Sequence, residues 1–224
     1  MRRGAIDLRV RVLYDGRACP GYRADWGFAC LVEGDERVLF DTGARPEVLA
    51  HNMCAAGVSC DAIDKVVLSH DHWDHTGGLP HLHGLRKDVA LFALPGFSRE
   101  TRDRMSEVAT VHEVTGPGQV AAGLSTTGPV GARVAEQALW FSSPAGRVLV
   151  VACGHPGLDA QVMALGACGP LHGLIGGFHG FHDFDLLRNV SLLAPCHCTE
   201  YRHAIAQHFP DAFLDVSAGT EIVI

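Results

Sequence analysis

The chain consists of short apolar runs separated by turns rich in glycine, proline and polar residues. A short apolar run between two turn signals is typical of a strand, and period-2 alternation of charged and apolar residues is typical of an edge strand. These patterns predict strands at residues 9–14, 28–32, 38–41, 65–68, 89–93, 137–141, 147–152, 171–177, 190–194, 212–216 and 220–224.

Helices are predicted between many of these strands. The clearest begins with Pro46 in its first turn and has Gly57 just past its end, which is the usual asymmetry of helix ends. Thr199 is a candidate N-cap for the last helix. The predicted helices cover residues 46–56, 78–83, 97–105, 158–166, 183–189 and 200–208, and residues 110–131 are expected to form short strands and turns.

Composition limits the classes of protein that the chain can belong to. With 224 residues and 47% hydrophobic residues, it can form a single domain over residues 1–224 with a substantial core. A net charge of −7 argues against nucleic acid as an electrostatic partner. No apolar run is long enough to span a bilayer, and the first residues lack the apolar core of a signal peptide, so we expect a cytoplasmic protein. Its eight cysteines include no CxxC pair and are expected to be reduced.

The densest group of potential metal ligands follows the predicted strand at 65–68. His70, His72, Asp74 and His75 lie within six residues, after an apolar run and before two glycines. This pattern indicates a buried strand that ends in a tight loop, not a helix, so alternating positions can share one face. Imidazole and carboxylate ligands suit zinc, iron or manganese.

An ordinary structural role must be weighed against this interpretation. Histidine is frequent here, with 14 in the chain, and a single histidine is usually a core or surface residue. Four ionisable groups crowded at one strand end would be costly without a shared cation, which favours metal binding.

The stretch from His70 to His75 resembles the HxHxDH signature of the metallo-β-lactamase superfamily, and the resemblance extends along nearly the whole chain. The flanking segments are most similar to one branch, the 7,8-dihydropterin-6-methyl-4-(β-D-ribofuranosyl)aminobenzene-5′-phosphate synthase-like proteins. The segments that carry this similarity are 26–28, 40–43, 153–157, 176–179 and 195–199. The resemblance implies an α/β fold in the form of a four-layer αββα sandwich.

The resemblance also implies a set of site residues. One metal would be held by His70, His72 and His155, with His155 replacing a histidine that many members carry in an earlier Gly-His-Thr segment. The other metal would be held by Asp74, His75 and His197. The implied cofactors are therefore two divalent ions, with zinc preferred over iron or manganese.

Three further residues are assigned roles around the metals. Asp41 matches the superfamily residue that orders the metal loop by hydrogen bonds. Cys153 occupies the position where most members carry an Asp that bridges the metals; packing or support of a ligand is favoured over direct ligation, which stays an alternative. His179 is a candidate for substrate contact or general acid catalysis, and Asp74 for proton transfer, although His179 could equally be packed at a helix entry.

These residues predict a hydrolase that cleaves a small phosphoester, or a related small-molecule substrate, with hydroxide bound at a dinuclear site. The branch implies an alternative, a transferase that joins a ribofuranosylaminobenzene phosphate to a dihydropterin and displaces pyrophosphate. A non-catalytic ligand sensor is a third hypothesis, because ligands for binding and for chemistry are the same residues. The sequence indicates neither the substrate nor the oligomeric state.

Overall fold

Two β-sheets packed face to face form the centre of the protein. The computed structural model describes residues 8–86, 88–166 and 169–224. The first residues of the chain, on which the expectation of no signal peptide depends, and Cys168 lie outside these ranges. Among the described residues, no helix is long and apolar enough to cross a membrane.

The first sheet contains β1 (Arg9–Tyr14), β2 (Ala29–Glu33), β3 (Arg37–Phe40), β4 (Lys65–Val67), β5 (Ala90–Ala93), β6 (Thr110–Glu113) and β13 (Glu221–Val223). These strands run in the order β13-β1-β2-β3-β4-β5-β6. Strands β3 to β6 are parallel to one another, and the remaining pairs are antiparallel. Strands β1, β3 and β4 therefore end at the same edge of the sheet.

The second sheet contains β7 (Gly118–Ala121), β8 (Leu124–Thr126), β9 (Leu139–Ser143), β10 (Gly146–Val151), β11 (Leu171–Gly177) and β12 (Leu192–Cys196). These strands run in the order β12-β11-β10-β9-β8-β7. Strands β10, β11 and β12 are parallel, so their carboxyl ends also share one edge. Strand β9 is antiparallel to β10, which places the start of β9 at that same edge.

Helices cover the outer face of each sheet. The helices are α1 (Pro46–Ala55), α2 (Trp73–Thr76), α3 (Arg99–Val108), α4 (Leu158–Met163) and α5 (Arg202–His208), with 3₁₀ helices at Cys60–Ala62, Leu79–Gly84 and Phe184–Leu187. Buried residues of α1 and α3 pack on the first sheet, and those of α4 and α5 pack on the second. A third apolar cluster lies between the sheets. This confirms the predicted α/β fold as an αββα sandwich.

The central strands are buried on both faces, which explains why they are continuous apolar runs in the sequence. In β3, Val38 and Phe40 face the other sheet, whereas Leu39 faces the helices. In β10, Val148 and Val150 face the first sheet, and the neighbouring leucine and valine face α4 and α5.

The structure differs from the sequence prediction at several local points. The loop that carries the first ligands includes one helical turn, α2, because the backbone N–H groups of His75 and Thr76 both donate to the carbonyl of His72. Residues 212–216 form only an isolated bridge between Phe213 and Leu193, not a strand.

The predicted cap of the last helix is also wrong. Helix α5 begins after Tyr201 with no side-chain cap. The hydroxyl of Thr199 instead accepts a hydrogen bond from the backbone N–H of Phe178 at 3.0 Å and donates to the carbonyl of Cys196 at 2.7 Å. Thr199 therefore joins the ends of β11 and β12, a long-range contact that a local cap pattern does not reveal.

Candidate metal centre

Potential metal ligands follow three strands that end at one edge of the sandwich. His70, His72, Asp74 and His75 follow β4, Cys153 and His155 follow β10, and His197 follows β12. Strands β10 and β12 are parallel neighbours of β11 and end at one edge of the second sheet. Strand β4 belongs to the first sheet, and the packing of the two sheets brings its end to that edge. The structure thus gathers all six sequence-predicted metal ligands at one edge.

Two clusters of potential ligands share a sulfur atom. One contains His70, Cys153 and His155, and the other contains His75, Cys153 and His197; within each cluster the ligand atoms lie within 4.8 Å of one another. The Sγ atom of Cys153 therefore lies between two pairs of imidazoles. This is a position from which one ligand could contact two cations, as in the direct ligation that the sequence left as an alternative to packing or support of a ligand.

His72 completes the first cluster. Its Nδ1 atom lies 3.0 Å from Nε2 of His70 and 3.1 Å from Nε2 of His155. A neutral imidazole carries a single N–H, so hydrogen bonds among the three rings cannot satisfy all three converging nitrogens. A cation among them would accept a lone pair from each.

Unpartnered nitrogens in the second cluster also fit a cation. Nε2 of His75 and both ring nitrogens of His197 are buried and make no hydrogen bond with the residues that the structure describes. Buried polar atoms without a partner are rare in proteins because losing their hydration costs free energy. Oδ2 of Asp74 lies 3.8 Å from Nε2 of His75 and 3.5 Å from Nε2 of His197, which places a carboxylate beside both nitrogens.

The electrostatics keep most of these imidazoles neutral, which is the form that binds metal. Burial, together with the neighbouring imidazoles, lowers the pKa of His155 to about 4 and that of His197 to about 3. Burial and the same neighbours lower the pKa of His70 strongly. His75 differs: burial lowers its pKa, but the Asp41 carboxylate outweighs this and raises the pKa overall.

Asp41 holds the first ligand loop through three hydrogen bonds. Its carboxylate accepts the backbone N–H and the hydroxyl of Ser69 at 2.7 and 2.6 Å, and it lies 2.7 Å from Nδ1 of His75. A carboxylate on Nδ1 leaves Nε2 as the nitrogen that faces the cluster. Asp41 therefore lies beside the loop from His70 to His75, the loop that the sequence analysis expects it to order.

A second buried carboxylate, which sequence reasoning missed, holds the second ligand loop. Glu136 is fully buried and accepts the backbone N–H groups of Cys153, Gly154 and His155 at 3.0, 3.0 and 2.9 Å. Burial raises its pKa, although the three hydrogen bonds oppose that effect. The hairpin register explains the position, because continuing the β9–β10 pairing beyond Val150 and Leu139 brings Glu136 opposite Cys153.

A third buried carboxylate, also missed, contacts the loop after β12. Oδ1 of Asp15 accepts the backbone N–H of His197 at 2.6 Å, and Asp15 is 2% exposed. Each ligand loop thus has its own carboxylate: Asp41, Glu136 and Asp15. The two missed residues share one sequence signal, since Asp15 directly follows an apolar strand and Glu136 directly precedes one. A carboxylate in such a position can also be a surface turn-former.

Gln137 and the preceding Glu136 together join two of the ligand loops. The side-chain amide of Gln137 donates to the carbonyl of Leu68 at 2.8 Å, and its backbone N–H donates to the carbonyl of Ser69 at 3.0 Å. Because Glu136 is the preceding residue, one short segment contacts the chain on both sides of the first cluster. The relative position of His70 and His155 therefore depends on this segment.

Backbone strain is concentrated at the site. Among the described residues, the non-glycine residues with positive φ are Asp41 (59°), His179 (45°) and His197 (49°). Such conformations cost free energy and persist where the surrounding structure enforces them, often at functional sites. All three follow strands that end at the ligand edge.

His179 lies beside the clusters, at a cavity of about 340 Å³. Its ring centroid is 5.0 Å from that of His155. The cavity is also lined by Phe178, Phe181 and His182. His155 lines the same cavity, so the cavity adjoins the first cluster.

Two further histidines have partners outside the clusters. His81 contacts Cys60, and His112 stacks on Phe92. An exposed tryptophan, Trp26, packs against His197 with ring centroids 5.1 Å apart and forms part of the rim of the second cluster.

Comparisons with known proteins agree with this architecture. A family model described as the beta-lactamase superfamily domain matches residues 36–140, which include the loop from His70 to His75. The 7,8-dihydropterin-6-methyl-4-(beta-D-ribofuranosyl)-aminobenzene-5′-phosphate synthase of Methanocaldococcus jannaschii is 24% identical over an alignment of 290 residues that covers 98% of both chains. An uncharacterized protein of the same organism is 25% identical over 235 residues, 86% of this chain and 91% of its own.

Two solved structures show the same fold. The crystal structure of Tm1679, described as a metal-dependent hydrolase of the beta-lactamase superfamily, superposes with a TM-score of 0.79 at 24% identity, over 97% of this chain and 99% of the other. A diphosphatase from the PhnP family superposes with a TM-score of 0.68 at 16% identity, over 98% of each chain.

Proposed function

We propose that this chain, a member of the metallo-β-lactamase superfamily, is a metal-dependent hydrolase of a small phosphoester or a related small molecule. The observation that carries the proposal is the pair of imidazole clusters that share Sγ of Cys153, with buried imidazole nitrogens that have no hydrogen-bond partner in the described part of the chain. Such nitrogens are costly unless a cation or a ligand occupies the space between them. Similarity to proteins of the same fold supports an enzyme of this superfamily.

The residues divide into two sets. His70, His72 and His155 would hold one divalent ion, and Asp74, His75 and His197 would hold the other. Sγ of Cys153 lies within reach of both sets, and we propose that it is a shared ligand. Two divalent cations bound there would supply Lewis-acid activation of water and of the attacked oxygen. Zinc suits this mixture of imidazole, carboxylate and thiolate, and iron or manganese are alternatives.

The remaining residues handle protons and the substrate. The carboxylate of Asp74 lies beside His75 and His197, so in addition to its role as a ligand we assign it proton transfer at the second cluster. His179 lies at the cavity next to His155, where its imidazole can donate a proton to a leaving oxygen. Asp41, Glu136 and Asp15 fix the ligand loops.

The substrate class is a phosphorylated small molecule that fits a cavity of about 340 Å³. The product named for the M. jannaschii synthase carries a 5′-phosphate, which supports a phosphorylated ligand. That similarity also supports a second candidate function, a transferase that displaces pyrophosphate from a dihydropterin. A net charge of −7 disfavours nucleic acid, and we retain a cytoplasmic location as a prediction.

The first experiment measures metal per chain by mass spectrometry, on protein purified without a chelator or an affinity metal column. Two equivalents of one metal are expected, and H72A should reduce the content. The matched control is H203A, which removes an exposed histidine of α5. If H72A and H203A bind the same amount of metal as the wild type, the assignment is wrong.

The second experiment tests the reaction with the metal so identified. Phosphomonoesters, phosphodiesters, lactones and thioesters are screened for turnover that is lost in H72A and kept in H203A. Pyrophosphate released from a dihydropterin diphosphate only when the ribofuranosylaminobenzene phosphate is present would identify the transferase instead. Tight binding of ligands without turnover in any assay would favour the sensor.

A further inference from the structure

Two thiols meet at the ligand edge of the second sheet. Cys153 follows β10 and Cys198 follows β12, and their Sγ atoms lie 3.1 Å apart. Sγ of Cys198 also lies 3.3 Å from the carbonyl oxygen of Cys153. Strand β11 lies between β10 and β12 in the sheet, so the two thiols meet across the end of β11.

The end of β11 leaves room for this contact only because it is glycine. A Cβ atom added to Gly177 would lie 2.9 Å from Sγ of Cys198 and 3.1 Å from Cα of Cys153. Any larger residue would occupy the space through which the thiols meet. The pairing is therefore a product of the sheet order, and it involves the same sulfur of Cys153 that lies beside the imidazoles.

We propose that Cys153 and Cys198 are a modification site, which forms a reversible disulfide when the protein is free of metal. The disulfide removes the sulfur of Cys153 from both imidazole clusters, so oxidation and metal binding exclude each other. This inference rests on the proposed function in one respect, the assignment of Cys153 as a shared metal ligand. A disulfide requires the sulfur atoms to approach to about 2.05 Å, roughly 1 Å closer than they are here, which side-chain rotation can provide.

The oxidant is a peroxide, and one peroxide molecule removes two electrons from the two thiols. Cys198 is the more exposed of the pair and reacts first. Its thiolate attacks one peroxide oxygen, the O–O bond breaks, and a sulfenic acid and water are formed after protonation. The thiol of Cys153 then attacks the sulfenic sulfur, the S–S bond forms, and the hydroxyl leaves as a second water. A dithiol reductant reverses the modification.

Metal should protect the pair. A thiolate bound to a cation is not free to attack sulfur, and bound metal stabilises the arrangement in which Cys153 faces the imidazoles. Conversely, a disulfide sulfur carries no thiolate charge and is a poor ligand for zinc. The expected behaviour is therefore rapid oxidation of the metal-free protein and slow oxidation of the zinc-loaded protein.

The test compares metal-free and zinc-loaded protein in a C54S background, because exposed Cys54 could link two molecules. Both samples are treated with hydrogen peroxide, the remaining thiols are alkylated, and the digests are searched for a peptide pair joined through Cys153 and Cys198. We expect the joined pair in the metal-free sample, formed at least about tenfold more slowly with zinc, and lost on reduction. C198S should give no joined pair, whereas C196A, which removes the neighbouring buried thiol, should still give it.

Zinc rebinding provides the second readout. Oxidised metal-free wild type should bind less zinc than the same sample after reduction. The proposal is overturned if peroxide converts Cys153 or Cys198 to higher oxides without joining them, or if zinc-loaded and metal-free protein are joined at the same rate. The proposed function has a separate test, since it fails if the reduced protein binds no metal, whether or not the disulfide forms.

Discussion

Glu136 and Cys153 lie opposite each other across one β-hairpin, and the carboxylate of Glu136 accepts the backbone N–H of Cys153 at 3.0 Å. The same carboxylate accepts the next two backbone N–H groups. A single buried side chain therefore determines the position of the loop that carries both Cys153 and His155. The role is one of positioning, because the three hydrogen bonds of the carboxylate go to the loop backbone.

Replacing Glu136 tests this role. E136Q keeps the size but places an amide N–H₂ against backbone N–H donors, so at least one hydrogen bond is lost. We expect a free energy of unfolding lower by about 1–3 kcal/mol and an affinity for zinc lower by about 10- to 100-fold. Zinc titration and urea unfolding measure the two effects.

The matched control is E107Q, on the exposed face of α3. It should leave both quantities unchanged. An E136Q protein that binds zinc as tightly as E107Q would show that the loop does not depend on this carboxylate. Loss of stability without loss of zinc affinity would indicate a purely structural role.

Asp41 offers a second test, aimed at the other cluster. D41N is suitable because asparagine tolerates the positive φ of 59° at this position. Its amide oxygen can still accept the backbone N–H of Ser69, but its N–H₂ group cannot accept from Nδ1 of His75. We expect the second cluster to weaken first, so that metal content falls from about two equivalents towards one in the presence of a mild chelator. Two firmly held equivalents in D41N would contradict the role assigned to Asp41.

Chelation should remove metal without unfolding the protein. The three apolar clusters lie between the layers of the sandwich, and none of the proposed metal ligands is among their residues. We expect far-ultraviolet circular dichroism to be retained after chelation, and thermal unfolding to remain cooperative at a lower midpoint. Loss of the dichroism signal on chelation would instead mean that the metal is required for folding.

The ion pairs of Asp215 predict a pH dependence. Oδ1 and Oδ2 of Asp215 accept hydrogen bonds from Arg17 at 2.8 and 3.1 Å, and Arg202 also contacts Oδ1. The Arg17 guanidinium holds the pKa of Asp215 below its usual 3.8. Because the folded-state pKa is depressed, the carboxylate stabilises the fold above about pH 3.8, and this contribution is lost as the pH falls through the lower folded-state pKa.

D215N should therefore reduce the free energy of unfolding at neutral pH by less than about 1 kcal/mol, since the pair is largely exposed. The difference between wild type and D215N should disappear in acid and shrink with added salt. Urea unfolding at several pH values measures it, with D211N as an exposed control. A difference that grew as the pH fell would have the wrong sign for this explanation.

Much of the architecture was predictable because it depends on local patterns. Apolar runs between turn residues predicted most strands, and the proline and glycine around α1 predicted that helix. Local patterns failed where a long-range contact decided the outcome. Thr199 binds the end of β11 instead of capping α5, and residues 212–216 form one isolated bridge, from Phe213 to Leu193, instead of a strand.

The candidate metal centre was also predictable only in part. The sequence by itself determined that His70, His72, Asp74 and His75 follow a buried strand, because their spacing and the apolar run before them are local features. It also determined, through resemblance, that His155 and His197 were candidates to join them. The spacing of a motif does not specify which nitrogen faces which neighbour, so the shape of each cluster was not accessible.

Only the tertiary structure decided that Sγ of Cys153 lies between both clusters, and that Cys198 reaches it across β11. It also decided that Glu136 and Asp15 hold the loops. These relationships depend on strand order and register in the folded sheets, which join residues up to 182 positions apart in the chain. Hydrophobic periodicity determines which face of a strand is buried, but the pairing of the strands determines which loops meet at their ends.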